Sequence, residues 1–184
     1  MRGIRGRLGR RAPRLVLTLV VLTAGAGLAQ TVAHVTESGA APAVSASYGG
    51  GHLMAADPSG GYWTAAGSGT VVPHGGAPQR GSPAAGGVRL NQPIVAMAST
   101  PGGGGYWLVA SDGGIFSYGD AGFHGSAGDL VLNQPIVGMS VDQTGDGYWL
   151  VASDGGIFAY GTAPFYGSTG NLVLNRPIVT MGAT

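Results

Sequence analysis

Leu90, Leu132 and Leu174 stand 42 residues apart, as do Asn91, Asn133 and Asn175, and Pro93, Pro135 and Pro177. Aligned without a gap, residues 88–129 and 130–171 agree at 27 of 42 positions. The shared blocks are LNQPIV, GYWLVASDGGIF and a tail of the form Y-G-x-A-x-F-x-G-S-x-G. A worn copy precedes them: MAADPSGGYW (54–63) corresponds to MASTPGGGGYW (97–107) with one residue fewer. From there GSGTVVPHGGAPQRGS (67–82) follows SDGGIFSYGDAGFHGS (111–126) at a constant offset of 44. LNRPIVTMGAT (174–184) opens a fourth copy. A period near 40 residues means an array of small units, none of which buries its apolar face alone.

The period also explains the composition. Glycine (37) and proline (11) reach a level that would suggest low complexity in an aperiodic chain of 184 residues. Here they fall at the same places in each unit and read as turns. There is no cysteine, so no disulfide framework, thiolate zinc site or cysteine nucleophile is available. There is no lysine either, which removes a P-loop lysine and a Schiff base. The formal net charge of +1 hides a segregation of sign. Arg2, Arg5, Arg7, Arg10, Arg11 and Arg14 crowd the first 14 residues, while residues 30–184 hold three arginines against all eight acids. A basic leader on an acidic body is a processing pattern, and it excludes nucleic acid as a partner of the body.

Residues 1–29 read as a signal peptide: the basic segment, the apolar run LVLTLVVL (15–22), and small residues up to Ala29. The apolar region of about 15 residues is short for a spanning helix, which takes about 20. No stable membrane span is therefore expected after cleavage. The alternative is an uncleaved N-terminal anchor with the body outside the cell. Residues 30–50, rich in Ala, Ser, Gly and Pro, read as a flexible linker, and 51–184 as the repeat domain. Its units are expected near 52–87, 88–129 and 130–171, with a partial unit at 172–184.

Each unit reads as short strands joined by turns. PIVGMSV (135–141) and GYWLVAS (147–153) are β-rich runs separated by the turn-forming QTGDG. Asp154-Gly155-Gly156 between apolar runs is a hairpin signal, because Asp and Gly accept the positive φ of a tight turn. A fourth strand is expected around PFYGS (164–168). Positions 121, 123 and 125 match 163, 165 and 167, whereas 120, 122 and 124 do not match theirs. Such an alternation suggests one constrained face. The expected fold is therefore all-β, an array of four-stranded, β-propeller-like blades of about three units plus one strand. Three units are few for a ring, so the array is partial or is completed by homo-oligomerisation through blade pairing. The C-terminal LNRPIVTM could also complete the first unit's sheet by strand exchange. A β-trefoil is the alternative fold.

GYWLVASDGGIFSYGDAGFHGSAG (105–128) and its copy at 147–170 resemble the tandem repeat of a group of secreted actinobacterial proteins. The resemblance is close over 88–184 and more distant over 54–87. It implies a propeller-like repeat domain outside the cell and specifies no ligand. The same segment is similar to the blade core of chromosome-condensation-regulator-type propellers, which again implies β-blades.

The candidate chemistry is sparse. Asp112 and Asp154 recur in SDGG and read as turn residues hydrogen-bonding their own backbone; a Ca²⁺ loop or an acid/base carboxylate is the functional reading. Asp142 and Asp146 share one variable turn, and His34, His52, His74 and His124 have no metal-ligand spacing. No catalytic, cofactor or metal residues are assigned. The candidate ligand-facing residues are the recurring pairs Tyr62-Trp63, Tyr106-Trp107 and Tyr148-Trp149, followed by Tyr118, Tyr160, Phe123, Phe165 and Tyr166. Neighbours on a strand face opposite ways, so each pair offers one ring per face. The pairs read either as a sugar-stacking platform or, more simply, as inter-unit core. The loops 98–104 and 140–146 differ most between copies and are the expected binding face.

These readings converge on an exported, non-enzymatic binding or structural module at the cell envelope, secreted or on the cell surface, with a glycan or protein ligand. The alternatives are a propeller-type hydrolase or lyase using turn carboxylates, or a truncated repeat fragment without independent activity.

Overall fold

The structure is a computed structural model, and it describes residues 53–183. The leader and linker expected at 1–50 lie outside the described residues. Nine strands form three separate antiparallel sheets of three strands each. The first sheet holds β1 (Leu53–Ala56), β2 (Tyr62–Ala65) and β3 (Val71–His74). The second holds β4 (Ile94–Ser99), β5 (Gly105–Ala110) and β6 (Ile115–Gly119). The third holds β7 (Ile136–Val141), β8 (Gly147–Ala152) and β9 (Ile157–Gly161). Every ladder joins strands of one sequence unit, and the first strands neighbour one another, β1 against β4 and β4 against β7. Among the described residues the fold is all-β.

The near-continuous apolar run GYWLVA is explained by burial on two sides. Tyr106, Leu108 and Ala110 face the first sheet and join Leu53, Trp63 and Val71 in one core. Trp107 and Val109 face the third sheet and join Ile136, Tyr148 and Leu150 in another. A period-two strand thus serves two cores at once. The first strands of the second and third sheets, β4 and β7, achieve the same by a bulge. Ile94 pairs with Ala110 but Ala96 with Val109, leaving Val95 as the extra residue; Ile136, Gly138 and Val137 repeat the irregularity. The bulge flips the alternation, so Ile94 and Met97 point to one core and Ala96 and Ala98 to the other.

Two expectations are corrected. The segments around 120–126 and 162–168 add no fourth strand. Their alternation in sequence does not reflect one buried sheet face: Ala163 is buried, whereas Phe165 is 61% exposed. Gly81, Gly125 and Gly167, equivalent by repeat, have φ of 112°, 134° and 116°, outside the strand region for L-residues. The C-terminal segment does not join the first sheet either. Ile178 N–H donates to the Ser153 carbonyl (2.8 Å) and Ala183 N–H to Ser140 Oγ (2.8 Å), so 178–183 lies against the third sheet. The cause is local and repeated: Ile94 N–H bonds Gly67 O and Ile136 N–H bonds Ser111 O, both at 2.9 Å. Each Pro-Ile junction clips its unit to the turn of the unit before it.

The glycine at the end of each unit marks where units touch. A Cβ on Gly125 would stand 2.5 Å from the Tyr160 ring of the next unit, whereas one on Gly167 would meet nothing within 4 Å. Both positions carry similar backbone strain for an L-residue. Gly125→Ala is therefore expected to lower the urea midpoint more than Gly167→Ala, by about 1–2 kcal/mol of unfolding free energy. Equal effects would mean the contact with Tyr160 is not part of the packing.

Candidate functional site

The six candidate aromatics divide by face and by unit. Trp63, Tyr106, Trp107 and Tyr148 are fully buried, and only Tyr62 and Trp149, on the first and third sheets, are partly exposed. A sugar ring stacks on an open aromatic face, and four of these six present none. Each tryptophan ties its own unit's outer segment. Trp63, Trp107 and Trp149 donate their Nε1–H to the carbonyls of Pro78 (2.8 Å), Gly122 (2.6 Å) and Pro164 (2.8 Å), in each case 15 residues on. Each following tyrosine reaches back across the unit boundary. Tyr106 donates its hydroxyl to the Gly81 carbonyl and Tyr148 to the Gly125 carbonyl (2.6 Å). The rings complete the contact, with Trp63 and Tyr106 centroids 5.2 Å apart and Trp107 and Tyr148 5.9 Å apart, both tilted. The pair is mortar: the indole holds the unit together and the phenol joins it to its neighbour. Burial pushes the Tyr106 phenol up to about 12, with the nearby Tyr118 adding to it, and raises Tyr148 in the same direction.

The turn carboxylates are spent locally. Asp112 Oδ1 accepts from Gly114 N–H (3.0 Å) and Asp154 Oδ1 from Gly156 N–H (2.9 Å), closing the Asp-Gly-Gly turns. The linker between the second and third sheets runs between two shallow grooves of about 350 and 310 Å³. Asp154 borders the first and Asp112 the second, and the two grooves share Leu130, Leu132, Asn133 and Gln134. Among the described residues no three His, Asp or Glu side chains are grouped to hold a metal ion. His74 stacks on Tyr62 (4.7 Å) and shares a 2.9 Å hydrogen bond with Thr64 Oγ1, while the His124 ring packs on Tyr148.

The variable loops also serve the joints. In one unit Thr100 Oγ1 donates to Asp120 Oδ1 (2.9 Å); in the next the roles are exchanged, and Thr162 Oγ1 donates to Asp142 Oδ2 (2.6 Å). Repeat positions 100/142 and 120/162 thus swap Thr and Asp and keep the bond. In the first unit the equivalents are Asp57 and Gly76. Asp57 Oδ1 is held by Ser59 N–H and Oγ, but its buried Oδ2 has no partner. These loops pack on their neighbours: a Cβ on Gly103 would stand 2.7 Å from Asp57 Oδ1, and one on Gly145 2.9 Å from the Pro101 ring. Gly102, Gln143, Thr144 and Asp146 in the same loops stay exposed.

Burial alone would raise the Asp142 carboxyl. Hydrogen bonds from Thr162, Thr144 and the Gly145 and Gly147 N–H groups outweigh it and hold the group below its ordinary 3.8. A depressed folded pKa stabilises above the unfolded value, and that contribution is lost as pH falls through the folded one. Melting temperature should therefore fall as the pH drops below about 4, and Asp142→Asn should flatten that slope; an unchanged slope would remove Asp142 from the account.

The exposed aromatics lie elsewhere. Phe123 and Phe165, at one repeat position, are 63% and 61% exposed, and Tyr166 is 85% exposed. All three stand among the aromatics singled out in the sequence, although the alternation that includes 123 and 165 also suggests a constrained strand face there. The residues brought together at each joint are thus the Tyr-Trp pair and the glycine carbonyl, and the rings left in solvent are Phe123 and Phe165, each two residues before that unit's glycine, and Tyr166. No family model, no curated protein and no solved structure matches the chain.

Proposed function

We propose that the chain is an exported, non-enzymatic β-repeat module of the cell envelope whose blade-like units hold a neutral glycan along the edge carrying Phe123 and Phe165. The observation that carries this reading is the repeated exposure of a large apolar ring at one position of successive units. Scaffold aromatics are buried in the joints, so an apolar ring kept in water at equivalent positions has no packing task. A row of flat rings suits the apolar faces of saccharides, and the excess of acid over base disfavours anionic polymers. Strand pairing confined within each unit, with first strands adjacent, supports propeller-type blades; a trefoil pairs strands of different units in one barrel. The basic, apolar leader supports export.

Retention of the full chain on insoluble cell-wall polysaccharides tests the reading. Phe123→Ala with Phe165→Ala should weaken retention at least about tenfold, roughly 1.4 kcal/mol, at an unchanged melting temperature. Wild-type protein that passes through the whole panel unretained would overturn the glycan assignment.

A further inference from the structure

The second and third units open on the same block, Leu-Asn-Gln-Pro-Ile-Val, and packing accounts for only part of it. Leu90 and Leu132 pack on the two cores, and each Pro-Ile junction clips its unit to the one before. The amides between them have no such task. Asn133 and Gln134 are exposed and their side chains bond no other described residue, and the same holds for Asn91 and Gln92. The linker at 130–135 also exposes apolar side chains. Leu130 is 54% and Val131 101% exposed, although a three-stranded sheet stands on either side. The two grooves that flank this linker each hold one turn carboxylate, Asp112 or Asp154, and no cation borders either groove. In both acids a glycine N–H engages Oδ1, while Oδ2 accepts from no described residue.

We propose that the linker 130–135 binds an extended peptide carrying lysine or arginine among aliphatic residues. A side-chain amide has the donor and the acceptor of a peptide group, so Asn133 and Gln134 pair with an extended main chain. Leu130 and Val131 give apolar cover to the peptide's aliphatic side chains. The free Oδ2 of Asp112 or Asp154, one on each side of the linker, takes the cation in a charge-assisted hydrogen bond. A neutral sugar would leave both carboxylates without a charged partner and the two aliphatic side chains without apolar cover. Phe123 and Phe165 border neither groove, so peptide binding and glycan retention fail independently.

The test is fluorescence anisotropy of a labelled peptide of alternating valine and lysine, titrated with the full chain. Saturable binding is expected, with none for the same peptide carrying glutamate in place of lysine. Asn133→Ala with Gln134→Ala should weaken binding at least about tenfold at an unchanged melting temperature. That double substitution alters no charge, so its effect is separate from the acidity of the body. Asp112→Asn with Asp154→Asn keeps the turn acceptors and should weaken binding while removing most of its salt dependence. Phe123→Ala with Phe165→Ala should leave it unchanged. No binding, equal binding of the glutamate peptide, or affinity that survives the loss of both amides would each overturn the proposal. Polysaccharide retention lost in the amide variant, with the peptide unbound by wild type, would overturn it in favour of a glycan on this linker.

Discussion

Trp107→Ala is expected to lower the unfolding free energy by about 3–5 kcal/mol, a large share of the roughly 5–15 kcal/mol that holds a domain of this size. The side chain is fully buried, lies between the second and third sheets beside Tyr148, and satisfies its indole N–H on the Gly122 carbonyl. Truncation removes that area, leaves a cavity between two sheets that share no strand, and frees the segment 120–126. Trp149→Ala should cost clearly less, because its ring is already partly in water. Equilibrium denaturation of the two variants checks the ordering. Equal losses would mean that tryptophan acts only within its own unit.

The second large effect is expected at high pH. An unfolded tyrosine ionises near 10, and Tyr106 in the folded chain only near 12. A folded pKa above the unfolded one stabilises below pH 10, and this contribution is lost as pH rises through the folded value. A gap of about two units amounts to roughly 2–3 kcal/mol for this residue, and Tyr148 acts in the same sense. The urea midpoint should therefore fall steeply between about pH 10 and pH 12. Tyr106→Phe should start about 1 kcal/mol lower, having lost the bond to the Gly81 carbonyl, but decline less. A midpoint that is flat over this range would show that the phenol is not sealed in the joint.

Much of the architecture is legible in the spacing. The 42-residue period, the Asp-Gly-Gly turns and the three β runs per unit all correspond to strands and turns of the structure. Adjacent Tyr and Trp do face opposite sides, because strand periodicity dictates it. What stays hidden are relations between units. Nothing in GYWLVA indicates that its phenol bonds a carbonyl 25 residues upstream, or that its indole bonds one 15 residues downstream. The misread fourth strand has the same origin: Ala121, Phe123 and Gly125 are shared between copies for three different reasons, and the pattern imitates one face. The C-terminal segment was ambiguous because its apolar residues fit either limit of the array. The Ile178 bond to Ser153, which decides it, depends on a turn in another unit. Repeat alignment is informative in one further way, since the Thr64, Val72 and His74 replacements stand out only when set against their equivalents.

The central claim is that the Tyr-Trp pairs are the joints of the array, with the exposed rings elsewhere. Hydrogen exchange of the three indole N–H groups, followed by NMR in dilute protein, tests it most directly. The account predicts that Trp63 and Trp107 exchange only on unfolding of the array and that Trp149 exchanges sooner. Three indoles exchanging together at solvent-limited rates would contradict it.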